Sequence, residues 1–194
     1  MTKETKQKII EVGAEIIQRK GFNHTGIQEI LTAAGVPKGS FYFYFKSKED
    51  LGLQVIDYFK ENYLSIAEEI LNDKSRAPLE RFQHFFNWFI DCFKPPKCCT
   101  CGCPIGNLSQ EMSDLNPQFR EKLNSTIDEM INCYVAVLKE AQETGAISQT
   151  LDTRETASFM VSSLQGALMH MKVTKNLEPL ENWYKFIIER VLKS

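Results

Sequence analysis

Apolar residues in this chain recur at intervals of three and four, and that regularity confines it to helices. From Phe119 the series runs Leu123, Ile127, Met130, Tyr134, Val137 and Ala141. Such steps keep every member on one face of a helix with about 3.6 residues per turn. Leu79, Phe82, Phe86, Phe89 and Phe93 repeat the pattern, as do Ala157, Val161, Leu164, Leu168 and Met171. Leu180, Trp183, Ile187 and Val191 close the chain in the same way. Leu51, Val55 and Phe59, followed by Ile66 and Ile70, mark a long helix. It should open at Ser47, where an N-cap serine and Asp50 in the first turn satisfy free N–H groups and suit the helix dipole. Breaks are expected at Asn72–Pro78, Pro95–Pro104, Asn116–Pro117, Thr144–Gly145 and Asn176–Pro179. No useful stretch alternates at the strand period, and neither repeats nor low-complexity tracts occur. The expected fold class is all-α.

A chain of 194 residues has room for one ordinary domain, or a small module joined to a larger one. It can build a core without disulfides or structural metal. No apolar stretch nears the roughly 18 residues of a membrane span. The polar start, Met1 to Lys6, lacks the apolar segment of a signal peptide. A cytoplasmic protein with reduced thiols, no membrane partner and no cofactor is the expectation. No HExxH, Walker loop, GxSxG or dinucleotide glycine pattern points to an enzyme.

The net charge of −2 argues against a chain that coats nucleic acid over its whole surface. Yet residues 1–48 hold eight Lys and Arg against four acids, an excess of four positive charges that leaves −6 for the remainder. A basic head on an acidic body suits a local phosphate-facing surface. Within that head, Ile10, Ala14 and Ile17 form one face of a first helix ending at Lys20-Gly21. Thr25 with Gln28 resembles a capping box and should start a second helix, Ile27–Ala34. Gly35 can take the positive φ of a sharp turn. Pro37 then opens a third short helix, from Lys38 to about Tyr44. Two short helices about a glycine turn make the helix-turn-helix plan, whose second helix enters the major groove. The alternating aromatics of Phe41–Phe45 would also suit simple packing or an edge strand. A strand, however, leaves Gly35, Pro37 and the flanking helical signals without purpose.

Gly21-Phe22, Thr25, Ile30, Ala33-Ala34-Gly35-Val36 and Lys38 through Lys48 resemble the DNA-binding signature of TetR-type repressors. The resemblance implies an N-terminal three-helix DNA-binding domain, residues 1–48. An all-α effector-binding and dimerisation domain, residues 49–194, would follow. It implies a homodimer through the last two helices, double-stranded operator DNA as partner, and a small-molecule effector that releases the operator. Carried onto this chain, Lys38, Gly39 and Ser40 begin the recognition helix, and Tyr42 and Tyr44 hold phosphates, with Tyr44 a variant of a position often occupied by His. Phe43 touches a thymine methyl, Thr25 and Gln28 make contacts from the preceding helix, and Lys48 holds a phosphate. Phe41 and Phe45 read as core.

Six cysteines are present, Cys92, Cys98, Cys99, Cys101, Cys103 and Cys133, four of them within six residues. Neutral accumulation in a loop is one reading. Soft-metal binding is another, although four ligands so close are cramped for a single tetrahedral site. A thiol switch is the third. Cys103 should precede a helix N-terminus, and Lys94 and Lys97 add positive charge, both of which favour thiolate. Gly102 to Glu111, with Met112 to Leu115, resembles a TetR subgroup containing electrophile-, quinone- and aldehyde-responsive repressors. Cys98, Cys99, Cys101 and Cys103 are therefore candidate redox residues.

Phe82, Phe85, Phe86, Trp88, Phe89, Phe93, Phe159 and Trp183 offer an aromatic interior that either fills a solid core or lines a pocket. Phe82, Phe86, Phe89, Cys103 and His170 are the candidate effector contacts, and His84 is a further pocket candidate. The function expected is a ligand- or stress-responsive transcriptional repressor. Binding a palindromic operator as a homodimer, it would be released by a small molecule or by cysteine modification. The alternative is a helical thiol- or metal-binding redox protein using Cys98–Cys103.

Overall fold

The computed structural model describes residues 2–94 and 99–193. Lys97 and Cys98, on which parts of the thiol reading rest, lie outside the described residues. Nine α-helices occur among the described residues, and no strand. They are α1 (Lys3–Lys20), α2 (Ile27–Ala34), α3 (Phe41–Tyr44), α4 (Lys48–Leu71), α5 (Pro78–Asp91), α6 (Pro104–Met112), α7 (Pro117–Glu143), α8 (Thr153–Thr174) and α9 (Glu178–Phe186). A 3-10 turn, Lys38–Ser40, leads into α3, and a π turn, Ile187–Val191, follows α9. The single C-terminal helix expected over Leu180–Val191 thus changes pitch after Phe186.

The ends are set by local chemistry. Thr2 Oγ1 accepts from the N–H of Thr5 at the start of α1. Asn116 Oδ1 accepts from the N–H groups of Gln118 and Phe119 at the start of α7, and Asp152 Oδ1 does the same for Glu155 in α8. At α4, Ser47 Oγ accepts from the N–H of Asp50, while Asp50 Oδ2 accepts from that of Lys46, 2.8 Å away. Both groups satisfy donors that the first turn leaves open. The capping box expected at Thr25 does not form. Gly26 occupies the N-cap of α2, and the Thr25 hydroxyl donates instead to the Gly21 carbonyl at 2.7 Å.

The chain divides into two compact units, residues 1–62 with 104–126 and residues 63–103 with 127–194. In the first, Ile9, Ile17, Ile30, Leu31, Phe41, Phe45, Leu51, Val55, Leu108 and Phe119 are buried. Gly52 is placed where α4 meets two rings, Phe22 and Phe119, whose centroids are 5.0 Å apart. A Cβ there would stand 2.5 Å from Phe119 Cζ and 2.5 Å from Phe22 Cε2.

The second unit is centred on aromatic rings. Phe82 and Phe86 stack at 5.7 Å, and Tyr134 meets Phe82, Phe85 and Phe86 edge-on. Ala157, Val161, Leu164, Leu168 and Met171 of α8 are all buried, as their spacing requires. Arg81 is a buried cation, with Nη1 donating to the Leu71 carbonyl and Nη2 to Glu140. The Arg81 bond, then that of Lys74, holds the Glu140 carboxyl below its ordinary pKa. A buried guanidinium needs such a partner, because an unpaired charge in the interior is strongly destabilising.

Candidate nucleic-acid interface and effector core

The geometry of the head begins with Gly35. At φ +64° and ψ 34° it terminates α2 in the left-handed region. Its N–H donates to the Thr32 carbonyl and that of Val36 to Leu31, at 3.1 and 2.9 Å, closing the helix end. Pro37 supplies the extended residue that leads into the 3-10 turn and α3. Phe41 and Phe45 are buried with centroids 5.3 Å apart, which pins α3 from below. The two aromatics between them that face solvent, Tyr42 and Phe43, are 72% and 66% exposed. Gln28, Lys38 and Gly39 are exposed as well, and a Cβ at Gly39 would meet nothing within 4 Å.

Three side chains expected to face DNA are turned inward. Thr25 is 1% and Ser40 5% exposed. Tyr44 is half-buried, and its hydroxyl is enclosed without a hydrogen-bond partner. Lys48 Nζ lies 4.5 Å from the centroid of Phe22 and 3.5 Å from the Asn23 carbonyl. Burial holds its pKa below the ordinary lysine value, opposed by the charges of Glu49 and Glu111.

Glu111, at the end of α6, is a residue that sequence reasoning missed. Its Oε2 accepts from the N–H of Phe22 at 2.8 Å and its Oε1 from that of Asn23 at 2.7 Å. Gly21, at φ +87°, presses against the same carboxylate, where a Cβ would be 3.0 Å from Oε2. The corner between α1 and α2 is thus held by charge-assisted bonds, which are shorter and stronger than neutral ones. An acid near the end of a short helix carries no spacing signal that distinguishes this role from a solvated surface charge.

In the second unit, Phe82 and Phe86 lie inside the aromatic core, and Phe89 and Cys103 pack partly buried against it. Cys103 Sγ accepts from Gln165 Nε2 at 3.4 Å. His170 does not join them. It sits on the exposed face of α8, beside Gly166, Thr174, Asn176 and Pro179 in a groove of about 410 Å³. His84 is exposed on α5, and Phe159 is half in solvent, so neither lines the interior. Trp183 meets Phe86 edge-on at 4.9 Å and donates from Nε1 to Ser163 Oγ.

The cysteines are separated by burial. Cys99 is inside the core, whereas Cys101 and Cys103 are half-buried and Cys92 is exposed. Cys99 and Cys101 take φ values of 54° and 68°, a region that residues with a Cβ seldom occupy. The described cysteines form no disulfide. Among the described residues no three of His, Cys, Asp and Glu gather into a metal-binding group. Lys94, expected to favour thiolate, pairs with Asp91 at 2.6 Å. Burial raises the Cys133 pKa.

A short helix, a left-handed glycine turn and a second short helix bearing exposed aromatics define a helix-turn-helix regulator of transcription. Residues 9–55 match the family described as bacterial regulatory proteins, tetR family. Residues 78–187 match the tetracyclin repressor-like C-terminal domain. The chain belongs to the TetR family of transcriptional regulators, which are DNA-binding proteins and not enzymes. It is 34% identical over 189 residues to the HTH-type transcriptional repressor DhaR of Mycobacterium sp. (strain GP1), covering 97% of this chain and 93% of that protein. Identity with the HTH-type transcriptional repressor NemR of Escherichia coli (strain K12) is 28% over 183 residues, covering 92% and 89%. The crystal structure of reduced E. coli NemR superposes with a TM-score of 0.89 at 25% identity, covering 97% of each chain. That of a regulatory protein TetR from Rhodobacter sphaeroides gives 0.88 at 31%, covering 96% and 97%. A redox enzyme or metal carrier does not fit a chain whose two parts both match transcription regulators. No helix among the described residues is long and apolar enough to cross a membrane.

Proposed function

We propose that the protein is a repressor that binds a palindromic operator as a homodimer and leaves it when its second unit takes up a small molecule or is modified at cysteine. Residues 1–48 read DNA in this scheme, and residues 49–194 bind the effector and the second subunit. The observation that carries the reading is α3, with Phe41 and Phe45 buried beneath it and Tyr42 and Phe43 exposed. Gln28, Lys38, Gly39 and Phe43 then address bases, while Tyr42 and Lys48 address phosphates. Selection of genomic fragments bound by the protein, followed by gel shift, tests it. A palindromic site bound far more tightly than random duplex is expected, and binding without sequence preference overturns the reading.

Lys48→Ala separates the two kinds of contact. A phosphate contact predicts equal weakening on operator and random DNA, with the salt slope reduced by about one unit. An unchanged slope would leave Lys48 as a packing residue of the head, consistent with its position over the Phe22 ring.

Release through cysteine rests on Cys103, half-buried beside Gln165 and directly before α6. The likeness to NemR, whose structure is described as a reduced form, supports this route. Cys99 is part of the core, so its replacement would confound the result. Cys103→Ser alone is the cleaner variant. Operator release by p-benzoquinone should be lost in it and kept in Cys92→Ser. Equal release from wild type and Cys103→Ser would remove the switch and leave a reversible ligand as effector.

A further inference from the structure

In the second unit two tyrosine hydroxyls are enclosed together. Tyr63 donates to Tyr134 Oη at 3.0 Å. Tyr134 is fully buried, and its ring is surrounded by Phe82, Phe85 and Phe86. Two hydroxyls bring two protons, and the bond between them uses one. The proton of Tyr134 has no acceptor among the described residues. A buried donor left unmatched loses its water without replacement, and such groups in folded proteins call for an explanation.

We infer that this hydroxyl pair is the polar anchor of the effector site, donating to the carbonyl oxygen of a neutral, flat small molecule held among the aromatic rings. The inference rests on the reading that the second unit binds the effector, and it names the group that recognises it. The surroundings specify the chemistry. Burial raises the pKa of both hydroxyls, so they stay protonated and act as donors. Besides Arg81 the second unit buries only Thr156 among the polar side chains described, and the Arg81 charge is already paired with Glu140 through Nη2, although its Nε is enclosed without a partner. A carboxylate entering here would meet no counter-charge, whereas a neutral carbonyl needs none. Ring contacts lead outward from the pair. Tyr63 meets Phe85 edge-on, Phe85 stacks on Trp88, and Trp88 and Phe93 each touch Phe89. Tyr63, Trp88, Phe89 and Phe93 are all half-buried, so the aromatic surface continues to solvent. Few, placed polar groups among apolar walls are the usual design of a small-molecule site.

Acetophenone and α-methylstyrene have nearly the same shape, and only the first carries an acceptor. Titration of each against the full-length protein can be followed by fluorescence, since Trp88 and Trp183 both belong to the ring network. Acetophenone is expected to bind wild type about fivefold more tightly than α-methylstyrene, the worth of one neutral hydrogen bond. In Tyr63→Phe/Tyr134→Phe that preference should vanish while α-methylstyrene binds as before. Tyr134→Phe alone would take away the acceptor of the Tyr63 hydroxyl and leave that proton unmatched instead. The double variant keeps both rings and removes both hydroxyls, so its melting temperature should stay close to that of wild type, and gel shift checks that operator binding is intact. Benzoate should bind more weakly than acetophenone. Equal affinity for the two isosteres, a preference that survives Tyr63→Phe/Tyr134→Phe, or preferred binding of benzoate would each overturn the anchor. If neither neutral probe binds, the anchor and the aromatic-effector reading fall together, while operator binding, measured separately, stands.

Discussion

Replacing Gly52 with alanine is expected to lower the melting temperature by up to about 8 °C, although alanine is the better helix former. Propensity alone would stabilise α4 by about 1 kcal/mol. Against it stands a methyl group 2.5 Å from carbon atoms of both Phe22 and Phe119. Those rings are in contact with each other and buried, so neither has free space to enter. Overpacking of this kind typically costs about 1–3 kcal/mol, and in a chain of this size each kcal/mol moves the midpoint by about 2–4 °C. The steric term therefore exceeds the propensity gain. Melting followed by circular dichroism gives the answer, and the double variant Gly52→Ala/Phe119→Leu should recover part of the loss. An unchanged or raised midpoint would mean that the rings yield without cost.

Charge placed on the exposed apolar face of the last helices should have a still larger functional effect. Met169 and Val173 of α8 and Phe186 of α9 are 66%, 76% and 54% exposed, and Phe159 lies half in solvent on α8 as well. In the proposed dimer a second copy covers this surface, because the buried stripe of α8 is already used inside its own unit. Val173→Asp with Phe186→Asp would put carboxylates into that interface, where unpaired charge is strongly unfavourable. Sedimentation should then report a monomer. A palindromic operator gains from two linked heads by roughly 10²–10⁴ in affinity, and that gain should disappear. A doubly substituted protein that remains dimeric and binds its operator normally would move the interface elsewhere.

The helices were legible because burial and spacing carry the same message. Phe119, Leu123, Tyr134, Val137 and Ala141 were placed on one face by count alone, and all five are buried. The turn at Gly35 was legible for a different reason, since a residue without Cβ between two short periodic segments has few other uses. Side-chain direction at the ends of short helices was not legible. Thr25 and Ser40 are small hydroxyl residues that suit a cap, a phosphate contact or a packed interior equally well. Which role is taken depends on the carbonyl nearby, here that of Gly21 for Thr25. Tyr134 fell into an apolar series because its ring has the right period, and periodicity is blind to a hydroxyl. Gln165 and Glu111 were invisible for a related reason. Their partners, Cys103 and the main chain at Phe22 and Asn23, are distant in sequence, so only folding reveals the pairing.

The bond made by Glu111 also distributes mutational tolerance unevenly. It accepts from main-chain N–H groups, which every residue but proline supplies. The Asn23 side chain adds a 3.5 Å contact from Nδ2 to Met112 Sδ, a weak acceptor, so exposed Asn23 can drift through most of the amino acids at little cost to the α1–α2 corner. Glu111 has no such freedom, since reaching two adjacent amides at once requires both carboxylate oxygens at that side-chain length. The corner is robust to change on the side that meets the solvent and brittle on the side that grips it.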